Sequence, residues 1–510
     1  QPIFRMNEAR ARGQAGDAAG AAGAYLAAAR LFSAQEADDD LALALARLER
    51  LKPRSAEVRE IRAKALYREG RKDAAGKLLA DLVAKGSEDS ATHYLYGLLL
   101  AEKGRGDEAL ERFEAALRLE PGYPLYAFRY AERLFLSGKD CRAAVGRAVE
   151  LAPAEGEERG WIMNLAGQEA LGRGDLAEAR RFLEEAAAAL PSAPEIAVNL
   201  SELRSREGDA DAALELLAAF PESAACRNQA GNVLSAAACA AREAAPRGPE
   251  ARGAGEAAPD GAAEGAVQGA VQGAAQGAAE RAAERAEGLL ESAAREYLRA
   301  TVLDPSEGEY QANLAAAYLE LERYSEAEER IRKALDRGSS PRALLLAGNL
   351  AMIYGDLPRA EAAYRLGLGS TPLDPALTAG LARCYLALRK GAKAEELARS
   401  LEAVDPERAA RLLAEIEDAT TERLSCSSCG RAWRVPRSLP PQSAASIRAM
   451  PPDDSPAGAC PTCGKIFCIA CRKADLVDSR FSCPDCGSAL KLSDDRLRWL
   501  VREGVRRQGS

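Results

Sequence analysis

Histidine is almost missing from this chain: His93 is the only one in 510 residues. Imidazole therefore cannot supply the ligands of a two-histidine zinc site, and no second imidazole is present for a histidine-based proton relay. Aromatic residues make up only 5% of the chain, while alanine recurs throughout, which favours closely packed helices over an aromatic-rich β core. No apolar run is long enough to span a bilayer, and no secretory signal pattern is visible. The sequence opens QPIFRMNEAR without an initiator methionine, which is compatible with a preceding segment, an anchor or signal included. No phosphate-cradling loop is present, so no catalytic constellation can be assembled from motifs.

What is present is a beat of 34 residues. In SATHYLYGLLLAEKGRGDEALERFEAALRLEPGY, Ser90 to Tyr123, Gly97, Ala109, Phe113, Ala116 and Pro121 occupy positions 8, 20, 24, 27 and 32. Gly167, Ala179, Leu183, Ala186 and Pro191 repeat the pattern from Gly160. Further copies start near Ala22, Ala56, Pro124, Pro194, Gly308, Pro341 and Pro375. Small residues at these positions let two antiparallel helices approach closely, and the proline stops the second one. The pattern resembles the tetratricopeptide repeat. That resemblance implies an all-α superhelical solenoid of nine or ten repeats. A small C-terminal zinc-binding domain with two four-cysteine sites is expected to follow it.

The expected organisation is an N-terminal helix or partial repeat over 1–21 and repeats over 22–241 and 288–408. A capping helix over 409–424, a metal-binding domain over 425–490 and an amphipathic helix over 491–510 complete it. In that last helix Ser493 is expected to cap, with Leu497, Leu500 and Val501 facing inward. The segment 242–287 interrupts one repeat. Gly231 marks the first helix of that repeat, and Ala293, Tyr297, Ala300 and Pro305 mark the second. Its GAVQ-like beat and lack of large apolar residues predict a disordered insertion, whose RAAERAEG end extends the following helix.

Stacked repeats present their first helices on a concave groove. Asn164, Gln168, Asn199, Asn228 and Asn232 fall at or near groove-facing positions of three consecutive repeats. Primary amides both donate to and accept from a peptide backbone, so this ladder is the candidate partner-binding set. The resemblance implies a protein or peptide partner. His93 falls at a packing position. Cys141, Cys226, Cys239 and Cys384 lie scattered in repeat helices and are expected to be buried small residues.

The remaining eight cysteines form four C-x-x-C pairs: Cys426/Cys429, Cys460/Cys463, Cys468/Cys471 and Cys483/Cys486. Pro461 and Pro484 follow the first cysteine of their pairs, and Gly430, Gly464 and Gly487 follow the second. Such turns aim two sulfurs at one metal, and four pairs satisfy two closed four-cysteine sites with none left over. Two Zn2+ ions are expected, with iron the lesser alternative because the first spacing resembles rubredoxin. Metal ligation also points to a reducing compartment, so a cytoplasmic location is expected. The pairing has two solutions. Sequential pairing gives two zinc-ribbon-like units. Interleaved pairing joins the first pair to the third and the second to the fourth, as in RING-type domains. Three features, Pro436, the CGKIFCIAC stretch and the closing FSCPDC, resemble RING and tilt the expectation to the interleaved form. The stretch between Cys429 and Cys460 reads as a proline-bearing loop, with Trp433 able to pack on a metal site or meet a partner.

The layout resembles that of bacterial lipopolysaccharide assembly protein B, in which a rubredoxin-like end domain packs on such repeats in a non-catalytic adaptor. Here the cysteine motifs are doubled and the membrane anchor of that family is not in the sequence. The expected function is thus a non-enzymatic interaction scaffold. Two rivals follow from the tail. From 424 to 510 there are 14 Lys and Arg against 8 Asp and Glu, which would suit a nucleic-acid-associated regulator. The RING resemblance would suit a ubiquitin-ligase-type module, but Ser427 stands where such domains place a large apolar residue.

Overall fold

The computed structural model describes residues 1–52, 55–245, 262–439, 451–475 and 480–508. It divides into two units, Gln1–Leu303 and Asp304–Ser510. The first is entirely helical among its described residues. In the second, helices from Gly308 to Thr420 lead into four short strands and two further helices.

Helices come in antiparallel pairs, ten of them among the described residues between Ala18 and Ser400. The turn inside nine of the ten pairs repeats a single backbone device. A residue just after the first helix adopts a left-handed conformation, as at Gly104 (φ 74°) and Gly174 (φ 79°). The following N–H then reaches back to close the helix end, Arg105 to Leu100 at 2.9 Å and Asp175 to Ala170 at 3.0 Å. An aspartate or serine frequently caps the next helix; Asp175 accepts from the Glu178 N–H at 3.0 Å. Glu36, Glu322 and Arg389 hold the same left-handed position without being glycine. A side chain is strained there, so Arg389→Gly is expected to stabilise its unit by about 0.5–1 kcal/mol, read as a raised denaturant midpoint.

The N-terminal helices combine both sequence alternatives. Ala18–Ala34 follows the turn at Gly16 (φ 80°) as a second helix, and precedes the turn at Glu36 (φ 54°) as a first helix. Its buried face carries Ala21, Tyr25, Ala28 and Phe32.

The interrupted repeat is closed by Ala224–Glu243 and a 42-residue helix, Ala262–Leu303. The expectation of disorder across 242–287 is corrected from Ala262 onward, and residues 246–261 lie outside the described residues. The physical reason is composition: alanine, glutamine and glutamate favour helix even where no large apolar residue demands burial. Ala286, Leu290, Ala293, Tyr297 and Ala300 form the buried stripe of the long helix. A Cβ built on Gly231 would lie 2.5 Å from the Tyr297 ring, so only glycine lets these two helices meet. Arg227 and Glu296 pair across the junction at 3.1 Å. Replacing the segment between Glu243 and Arg285 by a short turn is expected to leave the cooperative melt within a few degrees, because the buried stripe begins at Ala286. Loss of the helical signal in that deletion would contradict the split-repeat arrangement.

In the second unit Pro406–Thr420 covers the last pair with Ala409, Leu412 and Ile416. The expected capping helix to Leu424 is four residues shorter, because Thr421–Ser425 is already a strand, β1. β1 pairs antiparallel with β2 (Ala432–Pro436), Leu424 opposite Trp433. β3 (Pro456–Ala459) pairs antiparallel with β4 (Ile466–Cys468). The stretch expected as a loop thus holds β2 and β3. A short helix, Ile469–Arg472, follows β4, and the last helix is Asp495–Gln508. Leu497, Leu500 and Val501 are buried as expected. Its N-terminal cap is Asp494 rather than Ser493, accepting from the Arg496 N–H at 2.8 Å.

Candidate metal centre and inner helical face

Three of the four cysteine pairs sit on the same turn. Cys426–Gly430 joins β1 to β2, Cys460–Gly464 joins β3 to β4, and Cys483–Gly487 lies between the bridged residues Ser482 and Ala489. In each, the glycine N–H donates to the first cysteine's carbonyl at 2.9 Å, and the glycine φ lies between 70° and 72°. The third pair differs: Cys468 ends β4 and caps the helix Ile469–Arg472, its sulfur accepting from the Cys471 N–H at 3.4 Å.

The sulfurs gather as Cys426, Cys429, Cys468 and Cys471, and as Cys460, Cys463, Cys483 and Cys486, all within 4.8 Å of one another in each group. This is the interleaved arrangement. Contacts of 3.7 Å (Cys429–Cys468), 3.4 Å (Cys460–Cys486) and 3.7 Å (Cys463–Cys483) are close to the roughly 3.8 Å between sulfurs that a tetrahedral ion at about 2.3 Å requires. β4 threads between the groups. Cys468 belongs to the first, whereas its neighbour Phe467 packs with Cys460 and Cys483 of the second. The alternation of side chains along a strand produces this division.

The ionisation of the thiols suits a dication. Burial raises the Cys426 thiol, but backbone N–H groups of Cys429, Cys468 and Ser428 outweigh it and bring it down to about 6. Backbone N–H groups of Cys463 and Thr462 bring Cys460 down to about 6 against its burial. Hydrogen bonds to Cys468 and Cys429 hold Cys471 as a thiol, pushed up to about 12. At Cys463 the Lys465 N–H lowers the thiol, but burial and bonds to Cys460 and Cys483 prevail and push it up to about 11. In each cluster one thiol is thus held low and another high. Four thiolates at these distances require a positive ion between them.

Trp433 packs on the first cluster with Val435, Leu497 and Leu500, and its indole N–H donates to the Asp454 carbonyl at 2.8 Å. Nothing in the sequence signalled that bond, nor the Ser427 N–H to Ile466 carbonyl contact at 2.8 Å that ties the first turn to β4. The tail's cations are largely answered. Arg434 meets Glu417 and Asp418, Arg496 meets Glu422 and Asp494, Lys473 meets Asp453, and Arg506 meets Glu503.

The amide residues are brought together only in part. Asn199 donates to Asn164 at 2.8 Å and accepts from Gln168 at 3.1 Å, linking two consecutive repeats. Asn164 and Asn199 are buried, while Gln168 is half-buried. Asn232 donates to Gln229 at 3.0 Å and accepts from the Tyr297 hydroxyl at 2.9 Å. Asn228 and Asn232 are half-buried. Removing Asn199 would strand two partners, so Asn199→Ala is expected to cost about 1–3 kcal/mol in denaturant unfolding. His93 is buried with Nε2 2.9 Å from the Ser87 carbonyl, in keeping with a packing role. Cys141, Cys226 and Cys384 are buried, but Cys239 is exposed. It lies near the C-terminal end of Ala224–Glu243, where this first helix runs longer than its counterparts.

Tetratricopeptide-repeat family models match residues 62–124, 170–236 and 312–375, in keeping with the helix pairs described above. A TPR repeat-containing protein of Treponema pallidum (strain Nichols) is 38% identical over 220 residues, 41% of this chain and 27% of that protein. This chain thus spans little more than a quarter of that relative's length. Among solved structures, a human IFIT1 dimer with m7Gppp-AAAA is 20% identical, with 77% of this chain and 90% of that one covered at a TM-score of 0.40. TTC0263, a thermophilic TPR protein of Thermus thermophilus, is 19% identical, with 44% and 99% covered at a TM-score of 0.33. Three stretches of the helical array thus match the tetratricopeptide repeat. Its repeats are followed by a small domain that gathers eight cysteines into two groups of four. Among the described residues no helix is long and apolar enough to cross a membrane.

Proposed function

We propose that this protein is a non-catalytic adaptor, whose repeats engage a protein partner and whose C-terminal domain is held together by two Zn2+ ions. The observation that carries this reading is the pair of closed four-cysteine clusters after a long repeat array. Zinc fits an all-thiolate tetrahedral set, and four protein ligands leave no position for a substrate. When bound, the ions neutralise the thiolates and cross-link the turns; Cys426, Cys429, Cys468 and Cys471 would hold one, and Cys460, Cys463, Cys483 and Cys486 the other. A cytoplasmic location suits eight reduced thiols.

The partner proposed for the repeats is an extended peptide or a helix lying along Asn164, Gln168, Asn199, Asn228 and Asn232. Because Asn164 and Asn199 are buried against each other, contact falls first on Gln168, Asn228 and Asn232. Gln168→Glu with Asn228→Glu is expected to abolish partner capture while the repeats stay folded, the melt falling only by the loss of the Gln168–Asn199 hydrogen bond, about 1–2 kcal/mol. Capture that survives both substitutions, yet disappears when residues 425–508 are deleted, would move the binding function to the tail.

A further inference from the structure

The two clusters, if they hold metal as proposed above, do not hold it in equal surroundings. Cys426 and Cys468 are 2% and 0% exposed and sit among Trp433, Val435, Leu497 and Leu500. Backbone N–H groups of Cys429, Cys468 and Ser428 point at Cys426, that of Cys468 at 3.3 Å, and the Cys471 N–H meets the Cys468 sulfur at 3.4 Å. β1, β2 and the final helix all border it, so its ion lies at the centre of the domain's core. The other cluster has a thinner shell. Its buried apolar company is Phe467, with Leu490 partly buried beside it; backbone N–H groups of Cys463 (3.5 Å) and Thr462 face Cys460 and that of Lys465 faces Cys463, so the apolar cover rather than the N–H contacts sets the clusters apart. Both Cys463 and Cys486 are exposed, against Cys429 alone in the first cluster.

The ties across the second cluster are also weaker in kind. The turn Cys483–Gly487 meets the turn Cys460–Gly464 through Thr462 and Ser488 at 2.9 Å and through Lys465 and Asp485 at 2.7 Å, both pairs exposed. Exposed pairs of this type contribute little to stability. Behind them the Lys491 N–H bonds the Ala459 carbonyl at 2.9 Å, and the Ala459 N–H bonds the Lys491 carbonyl at 3.0 Å. That ladder ties the chain after the Cys483 turn to β3, so the turn's attachment does not run through β1, β2 or the final helix. An incoming ligand reaches the second ion past two exposed sulfurs, and metal exchange at thiolate sites proceeds by such displacement.

We propose that the Cys426 cluster holds the permanent structural ion, and that the Cys460 cluster is an exchangeable site for a soft divalent cation, whose release bares Phe467 and four thiols while the first ion stays in place. The proposal rests on the metal reading, and one experiment separates their failures. The full chain, loaded with Zn2+, is mixed with excess chromophoric zinc chelator, and samples are alkylated through time and mapped by mass spectrometry. Release is expected in two phases of one ion each, separated by about tenfold or more in rate, the scale on which outer-shell contacts act. Cys460, Cys463, Cys483 and Cys486 should be labelled in the first phase, with Cys426 and Cys468 protected and the Trp433 indole N–H still slow to exchange. A single phase that labels all eight together, or labelling of the Cys426 cluster first, overturns the proposal. A chain that takes up no metal overturns the metal reading beneath it.

Discussion

Prolonged chelation that removes both ions is expected to unfold residues 421–508 and leave the repeat helices folded. The domain's apolar core is small: Val435, Phe467, Leu497, Leu500 and Val501 are its principal fully buried aliphatic and aromatic side chains. At about 1.5–3 kcal/mol for each such side chain, burial is a weak source of stability for a domain of this length. Structural zinc supplies on the order of 10–16 kcal/mol per site, which makes it the decisive contribution. The repeats need no such help, since each pair buries its own stripe and that of its neighbour. Tryptophan fluorescence should report loss of the Trp433 and Trp499 environments, while far-UV circular dichroism keeps nearly all of its helical amplitude. Cys426→Ser should imitate chelation, because it removes a ligand at the core. A tail that stays protected from hydrogen exchange after the metal is gone would show that side-chain packing, not metal, holds it.

The second large effect is expected at Gly231. Its hydrogen faces the Tyr297 ring across the two helices that the long insertion separates in sequence, 2.5 Å from a would-be Cβ. Gly231→Leu forces the helices apart or the ring out of its site, at a cost of about 2–3 kcal/mol. The ring also anchors Asn232 through its hydroxyl, so displacement removes a hydrogen bond as well. Truncating the partner, Tyr297→Ala, leaves room for the new side chain. The double variant is therefore expected to lose less than the sum of the two single losses. Fully additive losses in urea denaturation would mean that these helices do not pack as a pair.

The repeats were legible because their signal is redundant: glycine at position 8, alanine at 20 and 27 and a terminal proline recur every 34 residues. The Gly231 and Tyr297 positions stayed in phase although the insertion separates them, which is why the split repeat could be read. The eight ligands were legible for the same reason, since four C-x-x-C pairs, three of them followed by glycine, have few other uses. What escaped was structure with no periodic demand. β1 to β4 run three to five residues each around metal-binding turns, too short for alternation to stand out. Prolines at the end of β2 and the start of β3, Pro436 and Pro456, read as loop signals. The helix from Ala262 was read as disorder because its sequence lacks large apolar residues, whereas its alanine, glutamine and glutamate content favours helix. Asp494 displaced Ser493 as cap because Arg496, which also bonds Glu422, fixes it in a charged cluster that only the folded domain assembles. The burial of Asn164 and Asn199 depends on two repeats meeting, which a single helix pattern does not show.

The central claim is that four cysteine pairs interleave around two ions, and metal content of one double variant tests it most directly. In Cys463→Ser with Cys486→Ser both lost sulfurs belong to one cluster, so the other cluster of four remains complete. The purified variant is expected to retain one ion per chain in all-sulfur coordination, at a metal–sulfur distance of about 2.3 Å by X-ray absorption. Sequential pairing would instead spread the two losses over two sites; a variant that retains no fully sulfur-coordinated ion, while the repeats stay folded, would contradict the account.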